Sequence, residues 1–145
     1  MRGGPGVEET PVKPFVKNLC CEVLKRSVLV ICGGRAEARP LFDRMASRYM
    51  PKKLRDETWA DVCGAWDKAR EESPGCRAIT MSCHGDVYVV MPEWSLPVFA
   101  HEAYHAAQAV LRHVGTDDEE LGAYLVEWMV GSVAETARKA NKEKT

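Results

Sequence analysis

The stretch CRAITMSCHGDVYVVMPEWSLPVF, residues 76–99, constrains the fold more than any other part of the chain. Two β-prone runs, Arg77–Cys83 and Asp86–Met91, flank His84-Gly85. A glycine-containing turn between such runs signals a β-hairpin. Ser95-Leu96-Pro97 follows at once and opens a helix, with Ser95 as a side-chain cap and Pro97 in the first turn. The helix is expected to run to about His113. A hairpin feeding directly into a long helix predicts an α+β domain.

The flanking segments fit this frame. Leu24 to Cys32 is apolar and β-branched, stops at Gly33-Gly34, and reads as a strand. Between Arg35 and Met50, Ala38, Leu41, Phe42, Met45 and Tyr49 recur at helical spacing, with Pro40 as an alternative start and Pro51 as the stop. A second helix is expected from Glu57 to Glu71, its Trp59, Val62, Cys63 and Trp66 forming a core-packing stripe. After a break at Gly115-Thr116, an acidic first turn opens a last helix, Glu119 to about Arg138. That helix is apolar on most faces, which predicts a central, buried position. The expectation is one domain over residues 15–140, with a frayed arm at 1–14 and a tail at 141–145. A small, mainly antiparallel sheet would pack on the two carboxy-terminal helices.

Composition removes several function classes. With 145 residues and a net charge of −1, the chain lacks the basic footprint of a nucleic-acid binder. The clusters Lys52-Lys53-Arg55 and Lys139-Lys142-Lys144 read as solvated surface. The first residues carry no apolar secretory core, and the longest apolar stretch, SVLVICGG, is too short to span a bilayer. A soluble, cytoplasmic protein without nucleic-acid or membrane partners is expected. VLVICGGRAEAR has a strand–glycine–helix outline but neither G-x-G-x-x-G nor GK[ST], so its glycines read as a tight turn. The six cysteines form no C-x-x-C pair and are expected to be reduced thiols. Cys32 and Cys63 read as core residues. Cys83-His84 at the hairpin turn offers two metal ligands, but no second pair accompanies them in the sequence.

The strongest chemical signal is FAHEAYHAAQAV, residues 99–110, which carries His101, Glu102 and His105. Positions i and i+4 share a helix face, so both imidazoles can meet one ion. Neutral imidazole is a good zinc ligand. Glu102 is offset by about 100° and borders the ion, where it could take a proton from a water that zinc acidifies to a pKa of about 7. This is the physical content of H-E-x-x-H.

A zinc site that keeps one position for water needs a third protein ligand. His113 lies twelve residues from His101, ~18 Å along a helix, and is too far. The longer H-E-x-x-H-x-x-G-x-x-H pattern fails, with Gln108 and Leu111 in place of its glycine and last histidine. The ligand must come from another element. The turn at Gly115-Thr116 can bring the last helix back antiparallel, offering Asp117, Asp118, Glu119 and Glu120. Periodicity does not choose between Glu119 and Glu120.

The segment VYVVMPEWSLPVFAHEAYHAAQAVLRHVGTDDEELGAYLVEWMVG resembles the core of the gluzincin branch of zincin metallopeptidases, above all small versions from phages and mobile elements. The resemblance covers about a third of the chain. In that family a glutamate in an E-x-x-A-[YN] setting completes the metal site, and here that setting is Glu120-Leu121-Gly122-Ala123-Tyr124. The resemblance therefore implies Zn²⁺ on His101, His105 and Glu120, with Glu102 as the catalytic base for cleavage of a peptide or amide bond. Fourteen residues separate His105 from Glu120, fewer than in many gluzincins, and no oxyanion-stabilising arginine or histidine is assigned by motif. Tyr104 and Tyr124 are candidates for that role. The rival expectation is a zincin-fold interaction or structural module that retains zinc without catalysis. Substrate, partner and oligomeric state are not readable from the sequence.

Overall fold

The computed structural model describes residues 12–22 and 24–143. The expected amino-terminal arm falls largely outside these residues, as do the last two positions of the expected tail. The described residues form an α+β domain ordered β1 (Phe15–Cys21), β2 (Arg26–Cys32), α1 (Arg35–Ala46), α2 (Lys52–Glu72), β3 (Ile79–Cys83), β4 (Asp86–Met91), α3 (Leu96–Val114) and α4 (Glu119–Glu143). The α4 helix takes in the start of the expected tail. Among the described residues, no helix is long and apolar enough to cross a membrane.

The four strands lie in the order β1-β2-β4-β3. Two of the three pairings are antiparallel, and the central β2–β4 pair is parallel, with Val28 opposite Val87 and Cys32 opposite Met91. The sheet is therefore mixed, and its central strands are covered on both faces. Successive side chains alternate between those faces. Val28, Val30, Cys32, Val87, Val89 and Met91 join one core with α3 and α4. Leu29, Ile31, Tyr88 and Val90 join a second core with Ala38, Phe42 and Val62 of α1 and α2. Burial on both sides explains why LVIC and VYVV read as continuous apolar runs. The helical layer formed by α1 and α2 was not part of the two-layer expectation. It closes the face that a half-buried sheet would have left wet.

The β1 strand went unread because its alternation is broken. Phe15 and Leu19 point into the core, but Lys17 stands at the inward position between them. The α1 helix begins at Arg35 and carries Pro40 in its interior. The turn before it needs glycine, because Gly33 has φ +135° and a Cβ there would lie 2.7 Å from the Pro14 Cβ. The Arg39 guanidinium ties the first two helices together. It donates to Asp43 at 2.9 Å and to Asp56 at 2.5 Å, and lies 5.6 Å from the centre of the Trp59 ring.

The α4 helix is buried on one face only. Leu125, Met129, Val133 and Ala137 recur at four-residue intervals against the sheet and α3. Tyr124 and Trp128 face outward, exposed by 61% and 37%. The expected central helix is thus a flanking one, whose outer surface keeps aromatic residues in contact with solvent.

Candidate metal centre

The α3 helix starts where β4 ends. The Ser95 hydroxyl accepts from the Val98 amide, and Pro97 supplies the fixed φ of the first turn. At its far end Gly115 adopts φ 78°, and the Thr116 amide donates to Leu111 O at 3.0 Å, closing the helix. Phe99, Ala103, Ala106, Ala107 and Val110 bury one face in the core. Small alanines in that row let the helix lie close to the sheet, and the opposite ridge presents His101, Tyr104 and His105 to solvent.

The two histidines meet on that ridge. His101 Nε2 and His105 Nε2 are 3.1 Å apart, with the rings edge-on at 4.7 Å between centres. Nitrogens bound to one tetrahedral zinc at about 2.0–2.1 Å stand roughly 3.4 Å from each other. The observed 3.1 Å is a little shorter than that and is the length of a hydrogen bond between the two rings. Tyr104 packs edge-on to His105 with centres 5.7 Å apart and is 56% exposed. It is a surface residue beside the pair.

Glu102 turns toward the sheet. It is 8% exposed, and its Oε1 accepts from the Thr80 hydroxyl at 2.8 Å. Thr80 belongs to β3, the edge strand beside α3. A groove of about 480 Å³ runs between the two, lined by Thr80, Ser82, Glu102, His105, Gln108 and Arg112. His113, further along α3, has its Nε2 3.4 Å from Ser82 Oγ. Thr80, Gln108 and Arg112 were not singled out from the sequence. The available signal was I-T-M-S-C itself, where hydroxyls occupy alternate positions and so share one face of the strand. A basic depression of similar volume near Lys17, Arg44 and Arg48 contains no histidine, cysteine or carboxylate.

The carboxylates at the start of α4 divide by helix phase. Asp118 caps the helix, its Oδ1 accepting from the Leu121 amide at 3.0 Å. Glu119 lines a groove of about 740 Å³ between α3 and α4, together with Tyr104, Gln108 and Glu127. Glu120 is one step, or about 100°, further round. It is not among that groove's lining residues, and it shares its face with the outward Tyr124. Among the described residues, the trio of ligand atoms lying within 4.8 Å of one another is Asp61, Cys83 and His84. Glu120 is not gathered to that distance with the two histidines. The structure therefore brings together His101 and His105 and turns Glu102 toward Thr80, and among the described residues it gathers none of Glu102, Glu119 and Glu120 within 4.8 Å of both imidazoles.

Comparison with protein-family models, curated proteins and solved structures finds no match for this chain.

Proposed function

We propose that the chain is a zinc-dependent hydrolase of the H-E-x-x-H kind, acting on a peptide or amide bond. The observation that carries this reading is the 3.1 Å approach of His101 Nε2 and His105 Nε2 beside a buried Glu102. In this reading the domain is zincin-like, as its resemblance to gluzincins implies. His101 and His105 hold Zn²⁺ with a carboxylate from the start of α4. Resemblance favours Glu120 for that third position over its neighbour Glu119.

When bound, zinc would acidify a water and polarise the scissile carbonyl. The chain's own groups supply the rest. Thr80 engages Glu102 Oε1, fixing the carboxylate and leaving its other oxygen to accept a proton from the attacking water and return it to the leaving amine. The β3 strand is a sheet edge with unpaired backbone donors and acceptors, which suit an extended peptide. The groove between β3 and α3 would carry the substrate past Glu102 and His105.

Zinc stoichiometry and peptide hydrolysis test this directly. One zinc per chain is expected, with His101→Ala and His105→Ala each weakening affinity by about tenfold or more. Glu102→Gln should keep the metal and lose hydrolysis. Retained metal with no hydrolysis even in the wild type, over a broad peptide library, would support the non-catalytic module instead. Metal below about a tenth of an equivalent after reconstitution would reject both.

A further inference from the structure

We infer a second metal site, at the β3–β4 turn, in which Asp61, Cys83 and His84 hold a zinc-type divalent cation. It lies on the opposite face of the sheet from the histidine pair. Thr80 and Ser82 turn toward α3, whereas Ile79, Met81 and Cys83 turn toward the α1–α2 layer. The site is independent of the reading proposed above and uses none of its residues.

Three elements converge to make it. Cys83 ends β3 and is buried, His84 is the first residue of the two-residue turn, and Asp61 reaches across from α2, 22 positions earlier. All three ligand atoms lie within 4.8 Å of one another, and Cys83 Sγ is 3.7 Å from Asp61 Oδ2. Around a tetrahedral zinc, bonds of about 2.0–2.3 Å separate ligands by roughly 3.3–3.8 Å. The sulfur and the carboxylate already stand at that spacing. The exposed His84 completes the trio, its ring nitrogen within 4.8 Å of both.

The chemistry of the set selects the ion. One thiolate, one imidazole and one carboxylate are the donors that zinc takes, and they suit calcium or magnesium poorly because those prefer oxygen alone. Two negative ligands would neutralise a dication. Asp86 adds a further carboxylate within electrostatic reach of both Cys83 and His84. Binding of the ion would require the Cys83 thiol to lose its proton to solvent. Cys83-His84 alone gave two adjacent ligands in sequence. The fold supplies the third from a helix that sequence spacing could not connect to the turn.

Cobalt(II), a spectroscopic substitute for zinc, tests the site in the full chain carrying His101→Ala and His105→Ala, so that the other candidate centre is silent. We expect about one equivalent of cobalt, a thiolate-to-cobalt charge-transfer band in the near ultraviolet, and loss of the band when zinc is added. Cys83→Ser should abolish the band. His84→Asn and Asp61→Asn should each weaken cobalt binding about tenfold or more. His84 has φ 53°, a conformation asparagine tolerates well, so His84→Asn removes the imidazole without disturbing the turn even if Cys83→Ser unfolds the strand. Absence of the band, a band that survives Cys83→Ser in folded protein, or an affinity unmoved by both His84→Asn and Asp61→Asn would each overturn the proposal.

Discussion

The Thr80 hydroxyl and the Glu102 carboxylate, 2.8 Å apart, fasten the edge strand to the helix that carries both candidate zinc ligands. Thr80 Oγ1 also lies 3.3 Å from Glu102 O, so one hydroxyl engages both the side chain and the backbone of the same residue. Replacing Thr80 by valine keeps the shape but leaves a buried carboxylate without its donor. A hydrogen bond to a charged group is worth about 1.5–3 kcal/mol. Thr80→Val is therefore expected to lower stability by about 1–3 kcal/mol, read from urea midpoints at neutral pH. Thr80→Ser should restore most of the loss. Equal midpoints for Thr80→Val and wild type would show that the contact contributes nothing.

The start of α4 offers a sharper comparison. Glu119 lines the groove beside Tyr104 and Gln108, while Glu120 shares the outward face of Tyr124. Zinc retention in Glu119→Gln and Glu120→Gln, measured side by side after dialysis, assigns the third ligand. Loss of most zinc in one variant and near-complete retention in the other is expected. Retention in both would place the third ligand elsewhere in the chain, with Asp117 and Asp118 tested next.

An acid-sensitive brace joins the first two helices. Asp56 accepts from Lys52 at 2.8 Å and from Arg39 at 2.5 Å, and these hydrogen bonds hold its carboxyl below the ordinary value of 3.8. A depressed carboxyl contributes its stability in full above that ordinary value and loses it as pH falls through the folded one. Wild type should therefore lose more stability than Asp56→Asn between neutral pH and pH 3. Parallel pH profiles of the two urea midpoints would contradict this.

Gly131 sits in the interior of α4, and a Cβ added there meets nothing within 4 Å. Alanine restricts the unfolded chain and favours the helix at no steric cost. Gly131→Ala is expected to raise stability by about 0.5–1 kcal/mol. A lower urea midpoint would mean that the outer face of α4 is covered in solution.

Much of this architecture was legible in residue patterns. The hairpin, the capped α3 and the strand before Gly33-Gly34 each rest on local chemistry that the sequence states outright. The parallel β2–β4 pairing was not legible, because nothing local tells LVIC that its neighbour is VYVV, some 60 positions away. The α4 helix misled for a related reason. Tyr124 and Trp128 count as apolar in a periodicity argument, yet their rings face water. At the candidate site, His101, Glu102 and His105 were readable from one helix, whereas Thr80 and Arg112 needed the strand–helix docking to be seen. Asp61 beside Cys83 depended on a contact between α2 and β3 that no motif encodes.

The parallel centre of the sheet also governs how the chain must assemble. The β1–β2 and β3–β4 hairpins close over short loops, and isolated hairpins form in about 1–10 μs. Their union pairs Val28 with Val87, 59 positions on, and closing so long a loop costs roughly 3–4 kcal/mol before any contact repays it. Joining the halves is then the slow step. The histidine pair, Glu102 and the α4 carboxylates lie on the carboxy-terminal side of that closure, and Thr80 lies in the β3–β4 hairpin that supplies Val87. Amide protection in pulsed exchange should accordingly appear within each hairpin before it appears between β2 and β4. A chain assembling in this order builds its chemical half from neighbouring segments and finds its sheet partner last.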